Sequence, residues 1–465
     1  MTVTVLTLDT PGLGDRTYLA HDGQVALVVD PQRDTDRVLA LAEAAGVRIT
    51  HVLESHIHND YVTGGYELAR DVGARYLLNA DDPVSFDRVG VRDGDVVAVG
   101  DRMRVRVLLT PGHTHTHLSF ALSDGDEPVA VFTGGSLLYG STGRPDLLGP
   151  DHTDTLAHAQ WHSARRLAAE LPDATAVYPT HGFGSFCSAT QSDATASTIG
   201  QEKLANPVLT SDEERYVADL LAGLDAYPAY YAHMAPANSA GPADVDLSPP
   251  EPADPAQLRE RIEAGEWVVD LRSRTAFAAG HVRGTLNFGL DGPFVTYLAW
   301  LIPWGTPVTL LGKTAGDVAE AQRELVRVGI DRPAAMATGG PADWSGGQPL
   351  RTYRTATFAD LAAQLRRSPD TVVLDVRRDS ERAGQHIAGS LHIPIHEVLG
   401  RIDEVPAGEV WVHCAGGYRA GVVAALLDAH GAEAHPLDVV AVDDSFDAAG
   451  PAGLPLVTER EEVPA

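Results

Sequence analysis

Cysteine is almost absent from this 465-residue chain, in which Cys187 and Cys414 are the only two. Two thiols cannot build a disulfide framework, so a reducing, cytoplasmic setting is expected and each thiol must be judged by its own surroundings. Lysine is equally scarce, with Lys203 and Lys313 the only two among 35 basic residues. Against 64 acidic residues this leaves a formal charge of −29. Neither nucleic acid nor an anionic membrane is therefore expected as a partner, because both need clustered cations. Long apolar runs are missing too. The longest, "FVTYLAWLIPW" at 294–304, contains Pro303 and falls well short of the ~20 residues of a membrane span. The opening "MTVTVLTLDTPG" has no basic segment followed by an apolar core, so no signal peptide is expected.

What the chain does hold is the composition of a soluble globular protein, 44% hydrophobic and 21% charged. Its length exceeds one ordinary core and predicts two to four domains. From 1 to about 205, short apolar strands alternate with helices: "QVALVVD" (24–30) reads as a buried strand, "DTDRVLALAEAAG" (34–46) as an amphipathic helix, and "ITHVLESH" (49–56) as a strand. "MRVRVLLTPGHTHTH", "PVAVFTGGSLL" and "TAVYPTHGFGS" repeat that logic. Four strands thus end at polar, Gly-rich loops, which predicts a single shared site at their ends. The Pro-, Ala- and Asp-rich stretch 234–255 has no apolar period and reads as a linker. The expected domains are 1–235, a linker at 236–256, then 257–350 and 355–460.

The last two are an internal repeat. Asp270, Arg272, His281 and Gly284 in "VVDLRSRTAFAAGHVRGTLNF" match Asp375, Arg377, His386 and Gly389 in "VLDVRRDSERAGQHIAGSLHI", all 105 positions apart. A second pairing sets "PVTLLGKTAGDVAEA" (307–321) against "EVWVHCAGGYRAGVV" (409–423). Alternating strand and helix in each unit predicts two small α/β domains with parallel sheets. Cys414 ends a strand and precedes a helical pattern, so the loop Ala415-Gly416-Gly417-Tyr418 can turn backbone N–H groups and a helix N-terminus toward the sulfur. Arg419 adds a positive charge to the same motif. With these residues the region 257–460 resembles the rhodanese family of sulfurtransferases. The resemblance implies that Cys414 accepts a sulfane sulfur as a persulfide, with Arg419 assisting and Ala415, Gly416, Gly417 and Tyr418 binding substrate. The first repeat departs from it, with Gly312 at the thiol position, Ala315 opposite Gly417 and Asp317 opposite Arg419. It reads as a non-catalytic domain for packing or positioning, in which Asp317 would repel an anion.

The segments "SHIHND", "TPGHTHTHLSF", "FTGGSLLYGSTGRPDL" and "YPTHGFGSFCS" resemble metallo-β-lactamase-fold proteins of the glyoxalase II and persulfide dioxygenase branch, over about 1–235. The resemblance implies an αββα sandwich and metal ligands at His56, His58, Asp60, His113 and His181. Tyr61 stands where a further histidine is usual, and Gly135 where the family has an aspartate. Both changes weaken a second metal set, leaving His56, His58 and His113 as the expected ligands of one iron(II) or zinc ion, with Asp60 and His181 ranked behind them. His115, His117, His158 and His162 have less claim, and Cys187 reads as a buried filler. The overall expectation is an α/β and α+β multidomain protein of sulfur metabolism. Its partners would be a small-molecule persulfide, thiosulfate or thiol acceptor, with homo-oligomerisation a further expectation. Persulfide oxidation would accompany sulfur transfer. A mononuclear metal hydrolase of a thioester-like substrate and a non-enzymatic sulfide or persulfide sensor are the alternatives.

Overall fold

Strands rich in Val, Leu and Ala build the N-terminal half of the chain into two six-stranded sheets. The computed structural model describes residues 2–190, 192, 194–430 and 437–458. In spatial order one sheet runs Thr4–Thr10, Asp15–His21, Val25–Val29, Arg48–Leu53, Arg75–Asn79 and Val89–Val91. The other runs Ser197–Thr198, Ala176–Pro179, Glu127–Gly134, Leu118–Asp124, Met103–Leu109 and Val96–Val99. Side chains alternate across each strand, so the inner faces can share one core. Tyr18, Leu27, Leu53 and Leu77 meet Val105, Val107, Leu118, Phe120 and Phe132 there. Helices Asp36–Ala45 and Gly65–Val72 cover the first sheet through Val38, Leu68 and Ala69. Helices Pro150–Glu170 and Glu213–Ala222 cover the second through Ala157, Ala164, Leu167 and Tyr216. The result is the αββα sandwich expected from the sequence.

Two compact units divide the chain, Met1–Asp246 with Leu325–Asp331, and Leu247–Glu324 with Arg332–Ala465. The second unit holds both repeats. In one, the strands Leu286–Asn287, Trp267–Asp270, Val308–Gly312 and Ala335–Thr338 lie side by side, all parallel. In the other, the order is Arg354–Ala356, Leu437–Val442, Gly408–His413, Val372–Asp375 and Leu391–His392, again parallel. The repeat is visible in atomic detail. Arg272 Nη2 donates to Asp270 at 2.6 Å and to the Gly280 carbonyl at 2.9 Å, and Arg377 does the same with Asp375 at 2.7 Å and Gln385 at 2.8 Å. Each Asp–Arg pair ties the strand that ends at its Asp to the segment after the following helix.

One expectation fails. The stretch read as a linker begins inside the helix Tyr231–Ala240, and Asn238 in that helix is only 1% exposed. Its amide donates to the carbonyls of His58 and Tyr61, both at 2.9 Å, and accepts from Thr63 N at 2.9 Å. Composition suggested an unstructured tether because Pro236 and the small residues conceal one side chain with three buried partners. At the far end of the stretch a second helix, Pro255–Glu263, starts on an Asp254 capping box. Positions 459 and 460, the end of the last expected domain, lie outside the described residues.

No helix among the described residues is long and apolar enough to cross a membrane. The apolar run at 294 becomes the helix Phe294–Leu301, every residue of which is buried.

Candidate functional sites

Three strand ends in the first unit deliver histidines to one buried cluster. His56 and His58 follow Arg48–Leu53, His113 and His117 flank the turn after Met103–Leu109, and His181 follows Ala176–Pro179. All five are at most 1% exposed. Asp30, at the end of Val25–Val29, fastens these loops together. It accepts from Ser55 N and Ser55 Oγ, both at 2.7 Å, and from the Thr180 hydroxyl. Asp30 is the one non-glycine described residue with positive φ, at 51°, a conformation that costs free energy and persists only when the surroundings impose it.

Hydrogen bonds fix which ring nitrogen of each histidine faces the centre. Ser55 Oγ gives its proton to Asp30, so at 2.8 Å it accepts from His56 Nδ1 and leaves the lone pair of His56 on Nε2. His113 Nδ1 donates to the Arg144 carbonyl at 2.8 Å, and its Nε2 is buried without a hydrogen-bond partner. His181 Nδ1 lies 2.9 Å from Asp15 and 3.1 Å from Asp60. Its Nε2 is 3.5 Å from His56 Nε2. Ligand atoms of His56, His113 and His181 all fall within 4.8 Å of one another. Two imidazole nitrogens on one tetrahedral ion would stand about 3.4 Å apart, given metal–nitrogen bonds near 2.05 Å. The orphaned His113 nitrogen and this spacing fit a metal ion.

Electrostatics divide the cluster. Burial, with the neighbouring histidines, lowers His56 well below the ordinary range and His113 to about 3. Burial opposes charge on His181 as well, but Asp60 and Asp15 outweigh it and raise that group to about 10. Without an ion, a proton occupies the centre between His181 and its neutral neighbours.

His58 falls outside the group of His56, His113 and His181, although its ring stands 4.1 Å from that of His56. Its Nε2 lies 2.9 Å from the Tyr61 hydroxyl, 3.3 Å from Glu54 and 3.4 Å from Asp30. The two rings stack with centroids 4.3 Å apart. Burial disfavours its charge, yet Asp30 and Glu54 raise its pKa to about 9. His58 instead groups with Asp60 and His181, the pair ranked behind it in the sequence. His117 also gains a place: its Nδ1 meets Thr110 Oγ1 at 3.0 Å, and its Nε2 accepts from Gly135 N at 3.0 Å. Gly135 lies close against His113, where a Cβ would come within 2.3 Å of the ring. His115 and His152 form a pair at 3.2 Å, and His158 and His162 share Glu213 at 2.7 and 3.3 Å. These four stand apart from the buried cluster. Cys187 is fully buried, and burial, with Asp60 beside it, raises its thiol well above the ordinary range.

Sequence reasoning missed Asp15, Asp30, Glu54 and Asn238. For Asp30 a signal existed, a carboxylate ending a buried apolar strand, since such a group must be paired.

Cys414, in the second unit, lies between the strand Gly408–His413 and the helix Tyr418–His430 and is 2% exposed. Gly417 N donates to its Sγ at 3.1 Å. Gly417 has φ +88°, and a Cβ there would meet Asp443 Oδ1 at 2.3 Å, so only glycine suits the turn. Ala415 accepts from Phe446 N at 2.9 Å, Gly416 is exposed, and the Tyr418 hydroxyl donates to the Gly289 carbonyl at 3.0 Å. Arg419 is not free to face a substrate. Its two terminal nitrogens donate to Glu381 at 2.6 and 2.7 Å.

The first repeat packs against this loop. Tyr297 stands 6.1 Å from Tyr418, and Arg274 Nε donates to Asp443 at 2.7 Å. In its own degenerate loop, Thr314 N donates to Asp317 at 3.0 Å and Asp317 N to Thr314 Oγ1 at 3.2 Å. Thr314 and Asp317 therefore cap the helix Ala315–Arg327 reciprocally, with Asp317 in its first turn.

Residues 11–181 match the metallo-beta-lactamase superfamily, and residues 254–346 and 357–448 each match the rhodanese-like domain. A hydroxyacylglutathione hydrolase from Polaromonas sp. is 32% identical over 160 residues, 34% of this chain and 57% of that protein. Human mitochondrial persulfide dioxygenase ETHE1 is 29% identical over 206 residues, 43% of this chain and 74% of that protein. The crystal structure titled metallo-beta-lactamase from Staphylococcus aureus subsp. aureus COL superposes with a TM-score of 0.65 at 26% identity, covering 73% of this chain and all of that one. This chain is a metallo-beta-lactamase-fold domain followed by two rhodanese-like domains.

Proposed function

We propose that this chain is a sulfur-transfer enzyme in which Cys414 carries sulfane sulfur as a persulfide and passes it to a thiol or cyanide. The observation that supports this most is the Gly417 N–H donated to Sγ at 3.1 Å from a strand-to-helix loop. A preorganised donor holds the sulfur in place for attack. Tyr418, fixed through Gly289, and Tyr297 form an aromatic wall beside the loop. Steady-state thiocyanate formation tests the reading. The chain should turn over a persulfide with cyanide, and Cys414→Ser should be inactive while still folded.

The N-terminal domain would add a metal-dependent step on a sulfur compound. His56, His113 and His181 would hold one iron(II) or zinc ion, which would supply Lewis acidity and, for iron, a means of using oxygen. The protein's own part is to keep three imidazole lone pairs on one buried centre, through Ser55, the Arg144 carbonyl, and Asp15 with Asp60. Likeness to persulfide dioxygenase favours persulfide oxidation. Hydrolysis of a thioester-like substrate is the second reading, and the missing carboxylate at Gly135 weighs against it, as it does against a two-histidine-one-carboxylate iron site. Oxygen uptake with a persulfide, measured against thioester cleavage, separates the two.

A further inference from the structure

The choice of sulfur donor, which rests on the sulfur-transfer reading of Cys414, turns on the charges around its loop. Glu381 meets Arg419 through both carboxylate oxygens, at 2.6 and 2.7 Å, with the side chains 11% and 22% exposed for Arg419 and Glu381. This bidentate geometry is the one a guanidinium would offer a sulfonate or phosphate. The carboxylate stands in for such an anion. It also accepts from Arg378 N at 3.0 Å and lies 3.3 Å from Arg378 Nε. Across the loop, Asp443 stands against Gly417 and is itself paired with Arg274 at 2.7 Å. The guanidiniums of Arg419, Arg378 and Arg274 thus already face carboxylates, and the group donating to Sγ is a neutral backbone N–H.

We infer that Glu381 determines donor specificity: by occupying Arg419 it disfavours dianionic donors such as thiosulfate and leaves Cys414 to load from organic hydropersulfides. In that reaction the Cys414 thiolate attacks the terminal sulfur of R–S–SH. A bond forms between Sγ and that sulfur, the donor's S–S bond breaks, and the thiolate RS⁻ leaves and takes a proton from solvent. Cys414 then carries S–SH, the transfer is redox-neutral, and one negative charge is present throughout. With thiosulfate the leaving group is the sulfite dianion, which needs an unpaired cation at the loop.

The test compares two donors, thiosulfate and glutathione persulfide, each with cyanide as acceptor, on the full chain and its Glu381→Gln and Glu381→Asp variants. Wild-type kcat/KM should favour the persulfide by about a hundredfold, and Glu381→Gln should raise the thiosulfate value about tenfold, through KM, with the persulfide value within about twofold. Glu381→Asp, which keeps the charge, should retain the wild-type preference, whereas a merely structural role would lower both donors together in every variant. Should Glu381→Gln fail to fold, the wild-type donor ratio still decides. A wild-type enzyme using both donors equally, or a folded Glu381→Gln protein with an unchanged ratio, overturns the inference and leaves sulfur transfer standing. Failure of Cys414 to load from either donor, followed by mass spectrometry of the persulfide, overturns the sulfur-transfer reading as well.

Discussion

The Tyr61 hydroxyl lies 2.9 Å from His58 Nε2, and this contact holds a ring that the sequence pattern assigns to a metal against Glu54 and Asp30 instead. A one-residue change from the usual histidine therefore does more than delete a ligand. It supplies a competitor for the neighbouring one. Tyr61→His should reverse both effects, raising zinc content from about one to about two equivalents per chain, since the set at Asp60 and His181 regains an imidazole. Elemental analysis of protein purified without chelator reads the result.

Single replacements should rank the histidines in an order the sequence alone does not give. His181→Ala and His113→Ala should each weaken zinc binding by at least about a hundredfold, and His58→Ala by less than about fivefold. Competition titration with a chromophoric chelator measures this. Strong loss in His58→Ala with little in His181→Ala would return the set to His56, His58 and His113.

Ion binding should release a proton. His181 is raised to about 10 by Asp60 and Asp15 against the effect of burial, so the ion-free protein carries a proton there at neutral pH. The ion needs the deprotonated ring, and each unit of rising pH below 10 makes that form about tenfold more available. Apparent zinc affinity should therefore climb about tenfold per unit from pH 6 to 8. A flat profile would show that His181 is not a ligand.

Restoring the family carboxylate should fail. A Cβ at Gly135 would stand 2.3 Å from the His113 ring, and no flexible tip can yield there. Gly135→Asp is expected to displace His113, lower metal content and cost about 2–4 kcal/mol of stability through overpacking and a buried charge. Thermal denaturation and metal analysis of the variant test this together.

The degenerate repeat should resist repair. Gly312→Cys in a Cys414→Ser background should form no thiocyanate, because Asp317 already takes the Thr314 N–H that the loop would otherwise present. The sequence suggested repulsion of an anion by Asp317. The structure adds capping to that role, and so Gly312→Cys with Asp317→Arg is the variant in which activity, if any, should return.

Features set by short-range pattern were legible in advance. The strand ends bearing His56, His113 and His181, the loop at Cys414 and the duplicated Asp–Arg pairs all follow from local periodicity and spacing. What escaped notice is non-local. Glu381 is 38 positions from Arg419, Asp15 is 166 from His181, and Asn238 is 180 from His58. Each is an ordinary polar residue until folding gives it a partner. Composition near Asn238 even pointed the wrong way.

Asn238 carries a consequence for how the centre is made. The loop bearing His58 and Tyr61 is closed by three hydrogen bonds to a side chain encoded 175 to 180 residues later. During synthesis the histidines at 56 and 58 leave the ribosome long before that clasp exists. Their loop lacks these three hydrogen bonds until the helix at 231 has emerged and docked. Assembly of the centre is therefore a late event, and a nascent chain stopped short of residue 238 would possess every candidate ligand but not the clasp that closes their loop.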